Sequence, residues 1–468
     1  MSVIPTVSAT RKLCINLLIC LAGAMPALAH AQGAEWKALS DESMALFKQK
    51  QYDKAIVPAK KAVDVAVKAV GPDHPSVAVS LTNLAAMYRA QGNLAEAESS
   101  FKRALAIREK AYGDSHQDVA TSMSNLGFLY ASQGRYGEAE PLFLKALAIR
   151  EKAQGPDHPD LVRSLSPLAT LYDHQDKFAE VKPIHARILA IREKALGPEH
   201  TDVATSLHNL AAAHDSLREY ALAEPLYVRA LAIREKKLGE ENLEVAATLN
   251  GLASVYREQA KYAEAEPMYK RSLAIREKLL NPDHADVATS LNNLAALYRA
   301  QKQYAAAEPL YKRALAIREK TLGAEHPDVA TTLNNLAALY DAQTLYAMAE
   351  PLYKRSLAIR EKVLGPGHID VAASQNSLAQ LYMAQHYYDK AEPLLRKALA
   401  TREKVLKAGD PEIVTTMTNL SDAYYAMGQL AQAEQYAPAG QQVGSEQQRR
   451  RLSIPIPTAG RIDRPKGG

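Results

Sequence analysis

Apolar and polar residues follow a helical period along most of the chain, and segment 286–327 shows this most clearly. Its first half spaces apolar side chains three and four residues apart, which predicts an amphipathic helix, here called helix A. A polar stretch at 301–303 and a second apolar stripe predict helix B. Each helix should contain about sixteen residues, because Gly323 suits a left-handed C-terminal cap and Pro327 a helix start. The stripes consist of Val287, Ala288, Leu291, Leu294, Ala295 and Tyr298, then Tyr304, Ala307, Tyr311, Ala314, Leu315 and Ile317.

This two-helix pattern recurs every 42 residues. The hexapeptide LAIREK begins at Leu105 and returns at that interval up to Leu357, and a degenerate copy, LATREK, begins at Leu399. Self-similarity at such a period is typical of solenoids, in which each repeat packs only against its neighbours. The sequence therefore predicts an all-α fold of antiparallel helix pairs, with nine full repeats and a partial tenth over residues 36–437.

Residues 1–31 are predicted to be a secretory signal peptide. Arg11 and Lys12 precede an interrupted apolar stretch, and small residues suit cleavage after Ala29 or Ala31. The alternative is a membrane anchor, for which the stretch is short. Both cysteines of the chain fall in this segment, so a mature protein without disulfides or thiolate metal sites is expected in the periplasm or outside the cell. No membrane span is expected in the mature form.

The positive charge of the chain is concentrated at its two ends. The formal net charge is +5, but Arg11, Lys12 and an excess of basic residues in 438–468 account for it, so the repeats are close to neutral. A nucleic-acid-binding solenoid would be expected to carry a basic face, which argues against a nucleic-acid partner. Residues 438–468 have no periodicity and are predicted to form a basic, disordered tail.

The strings NNLA, AEPLYKRAL and REK-x-LG-x-x-HPDVA resemble the tetratricopeptide repeat (TPR). The resemblance includes the small residue Ala295, the aromatic Tyr298, and Tyr304 and Ala307 at the start of helix B. The 42-residue period resembles the kinesin-light-chain type of that repeat, here in an exported bacterial form. Over about residues 36–437, the resemblance implies a right-handed superhelical solenoid that binds a protein or peptide partner. We expect the protein to be a monomer.

Asparagines recur at two adjacent positions of helix A. The resemblance implies that helix A lines a concave groove and that an asparagine here contacts the main chain of a ligand. An amide both donates and accepts hydrogen bonds, and a repeat rise of roughly 10 Å matches every third residue of an extended peptide. The alternative is that these side chains bond to helix backbone or neighbouring turns. The candidates are Asn83, Asn125, Asn209, Asn293, Asn335 and Asn419, and, one position earlier, Asn250, Asn292 and Asn334.

Charged positions of the repeat supply further candidates. Arg257 and Arg299 occupy one position near the end of helix A and would form a positive pair suited to a ligand carboxylate if they face the groove. They could equally be solvated helix ends. The REK triplets are predicted to make inter-repeat and surface charge pairs, each of which stabilises little.

A histidine column and a proline column are interpreted as structural. Equivalent histidines should lie roughly 8–10 Å apart, too far to share a metal ion, and are predicted to shape the turn before helix A. Prolines such as Pro309 should loosen the first turn of helix B, and Pro167 should kink its helix A. The histidines are His74, His116, His158, His200, His284, His326 and His368, with Asn242 and Asp410 in two copies.

No catalytic motif, metal site or cofactor site emerges from the sequence. We therefore expect a non-enzymatic scaffold that mediates protein–protein interactions in the cell envelope through the groove of helices A. The alternative is a structural or assembly scaffold that acts through its outer faces and basic tail. An enzyme is the least favoured class.

Overall fold

The computed structural model describes residues 30–175, 177–441 and 443–452. Over these residues the protein is all-helical, and helices A and B alternate in the predicted order. The predicted signal peptide lies almost entirely outside the described residues, although α1 begins at His30, inside the predicted segment. The helices are α1 (His30–Lys48), α2 (Tyr52–Val70), α3 (Pro75–Gln91), α4 (Leu94–Tyr112), α5 (Gln117–Ser132), α6 (Tyr136–Gln154), α7 (Val162–Asp173), α8 (Phe178–Leu196), α9 (Thr201–Ser216), α10 (Tyr220–Leu238), α11 (Leu243–Glu258), α12 (Tyr262–Leu279), α13 (Ala285–Ala300), α14 (Tyr304–Leu322), α15 (Pro327–Asp341), α16 (Tyr346–Leu364), α17 (Ile369–Ala384), α18 (Tyr388–Val405), α19 (Pro411–Ala426), α20 (Leu430–Tyr436) and α21 (Glu446–Leu452).

The chain divides into two compact units, residues 1–259 and 260–468. In the first, helices α1 to α10 form five antiparallel A/B pairs and α11 is the next helix A. In the second, α12 is a helix B, and α13 to α20 form four further pairs, the last with a short helix B. The number of repeats predicted from the sequence is therefore confirmed. No helix within the described segments is long and apolar enough to cross a membrane.

Each helix A after α1 begins with a side-chain cap, which for α7 lies at the 3₁₀ turn Pro159–Leu161 just before it. His326 Nδ1 accepts a hydrogen bond from the backbone N–H of Asp328 at 3.1 Å, and the other histidines of the column do the same for their own helices. Asn242 and Asp410 replace the histidine but keep the bond, through Oδ1 at 2.8 Å. The cap satisfies a backbone donor that the first turn of a helix leaves unpaired. The structural interpretation of this column is confirmed.

The helices B differ from the prediction in length and at their ends. Most contain 19 residues, because they continue through the REK triplet to the residue before a glycine. Gly323 has φ 88° and ψ 154°, so it is not the predicted left-handed cap but lies in a region that glycine alone enters readily. Helix α14 continues through Pro309, and α7, preceded by the 3₁₀ turn Pro159–Leu161, continues through Pro167.

The arginine of every REK triplet is buried except Arg192, which is half-buried, and this corrects the prediction of a surface charge. Arg318 Nη1 donates to Thr332 Oγ1 at 2.7 Å and to the carbonyl of Asp328 at 3.0 Å, both in the next helix A. Its Nη2 donates to Thr289 Oγ1, in the helix A of its own repeat, at 3.3 Å. Burial lowers the pKa of the Arg318 guanidinium. One buried cation thus joins two consecutive helices A.

The other two residues of the triplet make the predicted inter-repeat charge pairs. Lys236 pairs with Glu199 at 2.7 Å, and Glu319 pairs with Arg355 at 2.7 Å, in each case between neighbouring repeats. Both pairs are at least partly exposed to solvent and are therefore expected to contribute little to stability.

The segment after Pro438 also differs from its prediction as a disordered tail. Residues 446–452 form α21, in which Gln448 and Leu452 are buried, and α21 contacts α19. Residues 453–468 lie outside the described part of the chain.

Candidate ligand-binding face

One stripe of each helix A contains most of the candidate residues, and we call it the helix-A face. It comprises the second asparagine position and the residues three and six positions later, because residues at this spacing share one side of a helix. In α15 these are Asn335, Ala338 and Asp341.

In the second unit, asparagines connect neighbouring helices A. Asn335 Nδ2 donates to Asn292 Oδ1 at 3.1 Å, and Asn419 Nδ2 donates to Asn376 Oδ1 at 3.4 Å. Asn292 Nδ2 also donates to Asn293 Oδ1 at 3.3 Å. Asn292 and Asn293 are only 1% exposed, so these two amides are engaged inside the protein. Asn335 and Asn419 are half-buried and keep part of their surface for a ligand.

The asparagine ladder is interrupted at Ser377. This residue stands where Asn335 and Asn419 stand in the repeats on either side, and its hydroxyl donates to its own helix at the carbonyl of Ala373. Asn334 Oδ1, which the ladder pattern directs toward position 377, is buried and has no hydrogen-bond partner among the described residues. An unpaired buried amide oxygen costs free energy, so the repeat is locally less stable here.

In the first unit the asparagines are less uniform. Asn83 and Asn125 are buried, and Asn125 Nδ2 lacks a partner in the part of the chain that the structure describes. Asn250 is half-buried, whereas Asn209 is exposed. Of the nine asparagines predicted to contact a ligand, five are therefore buried in the free protein. The ligand-contact role remains a prediction and is best carried by the accessible ones: Asn209, Asn250, Asn335 and Asn419.

The charged position of the first unit brings opposite charges together. Arg257 Nη2 donates to Glu258 Oε1 at 2.5 Å, and Asp215 occupies the equivalent position one repeat earlier. Burial and the neighbouring Glu258 raise the pKa of Asp215 to about 6, and Arg257 opposes the rise. Carboxylates of the chain itself therefore already surround the guanidinium of Arg257.

In the second unit, Arg299 is half-buried near the phenol of Tyr353. Burial and the neighbouring Asp341 raise the pKa of Tyr353, and Arg299 opposes the rise. Burial also raises the pKa of Asp341. Arg257 and Arg299 belong to different units, and each is placed among groups of its own unit. Their joint binding of a ligand carboxylate remains a prediction.

Two features of the structure were not predicted from the sequence: the burial of the REK arginines and the covering of Asp422. Each REK arginine is followed fourteen residues later by a Ser or Thr, and the two form a hydrogen bond in the structure, as Arg318 does with Thr332. This constant spacing could have predicted the contact. Asp422, on the helix-A face of α19, is only 3% exposed because α21 covers it. No local pattern pointed to this contact. Within the described residues, no three His, Cys, Asp or Glu side chains are grouped to hold a metal ion.

Comparison with known proteins identifies the repeat. The family model described as tetratricopeptide repeat matches eight stretches: residues 37–110, 77–151, 118–194, 174–236, 244–320, 286–362, 328–401 and 370–437. No curated protein matches the chain.

Solved structures with similar folds include kinesin-light-chain-like proteins. BtubC (BKLC) from P. vanneervenii is 30% identical over 49% of this chain and 92% of its own, with a TM-score of 0.41. A Podosopora anserina protein with nearly identical kinesin-light-chain TPR-like repeats is 29% identical over 46% of this chain and 97% of its own, with a TM-score of 0.37. A Rap protein complexed with competence and sporulation factor is 14% identical over 80% of this chain and 98% of its own, with a TM-score of 0.51.

Proposed function

Because the chain belongs to the tetratricopeptide-repeat family, we propose that it is a non-enzymatic scaffold that binds a protein or peptide partner through the helix-A face. The observation that carries the proposal is the contrast between constant and variable positions. The buried arginine, the helix cap and the core recur in repeat after repeat, whereas the helix-A face changes its side chains at the positions three and six residues after the second asparagine position. One position on that face is occupied in turn by Ala86, Phe128, Thr170, Ala212, Ser254, Ala296, Ala338, Gln380 and Asp422.

The helix-A face suits a polypeptide ligand for a second reason. Its accessible amides and its charges of both signs can pair with main-chain groups and with side chains of either charge. The Rap protein with its bound factor has the same fold, and at 14% identity this likeness concerns the fold and not the ligand. The chemistry of the partner therefore has to be inferred from the residues that line the helix-A face of this chain.

The proposal places the protein in the cell envelope, in the periplasm or outside the cell. Its support is the N-terminal segment, in which two basic residues precede an apolar stretch and small residues suit cleavage. Expression of the full chain with a C-terminal tag, followed by fractionation and N-terminal sequencing, tests this placement. A tagged protein that keeps residues 1–29 and stays in the cytoplasm would contradict it.

An assembly scaffold acting through the outer faces is the second candidate. Large apolar side chains are exposed on helices B, among them Leu222 on α10 and Met348 on α16. Scattered exposed apolar residues are common on soluble proteins, so this observation is weaker than the variation on the helix-A face.

Site-specific crosslinking separates the two candidates. A photoreactive amino acid is placed at Thr170 or Gln380 on the helix-A face, or at Leu222 or Met348 on the outer side of helices B. We expect a crosslinked partner, identified by mass spectrometry, from the first pair of positions. Crosslinks from the second pair alone would favour the assembly scaffold. With the purified partner, Asn209→Ala should then weaken binding without changing helicity, because Asn209 is exposed.

A further inference from the structure

The C-terminal segment of the described chain lies against the helix-A face of the last repeat. Arg451 Nη1 donates to Asp422 Oδ2 at 3.3 Å, and Leu452 and Gln448 are buried. Gly444 lies beside the ring of Tyr425, so close that an added Cβ would be 3.4 Å from it. Residues 443–452 therefore cover α19 through Arg451 and Gln448, both beside Asp422, and Leu452 is buried at the end of the segment.

The covered positions belong to the face proposed to bind a partner. Asp422 and Tyr425 stand 42 residues after Gln380 and Met383, so they occupy the same places in the next repeat. Gln380 is exposed in α17, whereas Asp422 is 3% exposed in α19. The segment thus occupies, at one end of the second unit, a surface that the preceding repeat leaves open.

The contact is specific in chemistry and small in extent. Burial raises the pKa of Asp422, and the neighbouring Gln448 and Arg451 oppose the rise. The carboxylate therefore needs a cationic neighbour when it is covered. A helix of seven residues is too short to be stable alone in water, so the order of α21 depends on the surface beneath it. Such a segment can be displaced without unfolding a repeat.

We propose that residues 443–452 are an internal ligand of the helix-A face, and that a partner peptide with an arginine followed by an aliphatic residue displaces them from α19. This inference rests on the proposed function and names the chemistry of the partner at one subsite. Arg451 and Leu452 model the two side chains that this peptide presents: a guanidinium for Asp422 and an aliphatic group for the adjoining apolar surface. The segment reduces the affinity of the subsite for external peptides by occupying it.

The test uses the full chain and a fluorescent peptide with the sequence of residues 443–452. In the variant Leu452→Asp, the internal segment loses its buried aliphatic anchor, so the face becomes free. We expect this variant to bind the peptide at least tenfold more tightly than the parent. In the parent, the apparent affinity is the intrinsic affinity multiplied by the small fraction of molecules in which the site is free. The double variant Leu452→Asp with Asp422→Ala should lose the binding, since it lacks the carboxylate that receives Arg451.

A matched control lies one residue away from the contact. Arg450 is 78% exposed at its side chain and pairs with Glu446 inside the segment, so Arg450→Ser should bind the peptide as weakly as the parent. Hydrogen exchange gives a second measurement: excess peptide should remove the protection of the α21 amides in the parent while the α19 amides stay protected.

Several results would overturn the inference. Equal peptide binding by parent and Leu452→Asp would mean that the segment does not compete for the face. Absence of binding by both would show that the face has no affinity for this chemistry. Lost helicity or lost protection of α19 in Leu452→Asp would identify α21 as a structural cap. Because the probe is the chain's own segment, each of these outcomes leaves the crosslinking from Thr170 and Gln380 intact, so the two proposals fail separately.

Discussion

A repeated position does not give its residue a repeated environment. Asp173 and Asp215 occupy the same place in consecutive repeats, but Asp173 is exposed whereas burial and Glu258 raise the pKa of Asp215 to about 6. In contrast, the histidine column keeps one role throughout, and even its replacements, Asn242 and Asp410, accept the same capping hydrogen bond, through an oxygen in place of the ring nitrogen. Neighbours in space, which differ from repeat to repeat, decide how far each residue departs from its ordinary behaviour.

The raised pKa of Asp215 predicts that replacing this carboxylate by a neutral side chain increases the free energy of unfolding in a pH-dependent way. The folded state binds the proton of the Asp215 carboxyl more tightly than the unfolded state does. Protonation of Asp215 therefore stabilises the fold fully below pH 4, and this contribution is lost as the pH rises through about 6. Asp215→Asn should therefore raise the free energy of unfolding at pH 7.5 by about 1–2 kcal/mol, since one pKa unit corresponds to roughly 1.4 kcal/mol and partial exposure reduces the effect.

Urea denaturation followed by circular dichroism between pH 4 and pH 8 measures this difference. The gain should disappear near pH 4, where the parent carboxyl is already protonated. Asp64→Asn, which changes an exposed charge on α2, provides the control. Parallel stability profiles for Asp215→Asn and the parent over the whole range would contradict the prediction.

At the scale of helices, two sets of polar contacts hold consecutive helices A together. Buried arginines such as Arg318 and Arg360 join consecutive helices A through Ser or Thr hydroxyls, and the asparagine ladder connects helices A directly in the second unit. Buried polar groups stabilise only when they are paired, so their geometry fixes how adjacent repeats stack. The same contacts explain why part of the asparagine column is unavailable to a ligand.

The REK triplet allows the buried and exposed charges to be compared within one turn of helix. Arg318→Ala should lower the free energy of unfolding by about 2–4 kcal/mol, because it removes a buried side chain and three hydrogen bonds. Lys320→Ala, which breaks an exposed pair with Asp283, should lower it by about 0–1 kcal/mol. Equal losses in the urea midpoint would show that Arg318 behaves as a surface charge.

The interruption of the ladder predicts a stabilising substitution. Ser377→Asn should supply the missing donor to Asn334 Oδ1 and raise the free energy of unfolding by about 0.5–1.5 kcal/mol. The chain accommodates asparagine at this position in the repeats on either side, through Asn335 and Asn419. Ser377→Ala is the control and should bring no gain. A destabilised Ser377→Asn would mean that the serine repeat differs in packing as well as in sequence.

At the scale of the whole molecule, stability is expected to vary along the chain. In a solenoid each repeat is supported by its neighbours, so a terminal repeat lacks support on one side. The only tryptophan, Trp36, lies in the first repeat, where it is 7% exposed and donates from Nε1 to Ser80 Oγ of the second repeat at 2.7 Å. Its fluorescence therefore reports on one end of the first unit.

Tryptophan fluorescence should accordingly change at a lower urea concentration than the helical signal in circular dichroism. The first repeat can unfold while the repeats beyond it keep their contacts. Ser80→Ala should move the fluorescence midpoint to still lower urea and leave the main helical transition in place, because the hydrogen bond of Trp36 is lost. Coincident transitions in the parent would show that the protein unfolds as one cooperative body.

The fold and the order of the helices could be predicted because they depend on information repeated many times. The 42-residue period, the apolar stripes and the glycines between repeats predict one helix A in each repeat, and the structure has one in each, as in Pro75–Gln91 and Ala285–Ala300. The length of helices B was underestimated, because a charged triplet such as REK is typical of a solvent-exposed helix end. A charged residue inside a helix carries no local sign of burial, and its environment depends on the next repeat.

The candidate site was predictable only as a set of positions. Helical spacing was sufficient to place the asparagines and the charged residues of each helix A on one stripe. Spacing could not show that Asn292 and Asn335 bond to each other, because this depends on the stacking of two helices 43 residues apart. Nor could it show that residues 443–452 cover Asp422, which is a contact between segments without sequence similarity.

The sequence by itself determined that this protein is a series of helix pairs with a constant core and a variable stripe on helix A. The repeat encodes these features locally, through side-chain period, caps and turns. Only the tertiary structure decided which polar side chains of that stripe are engaged by the protein, which are accessible, and where the C-terminal segment lies. Burial and hydrogen bonding are properties of surfaces in contact, and these surfaces come together only when consecutive repeats stack.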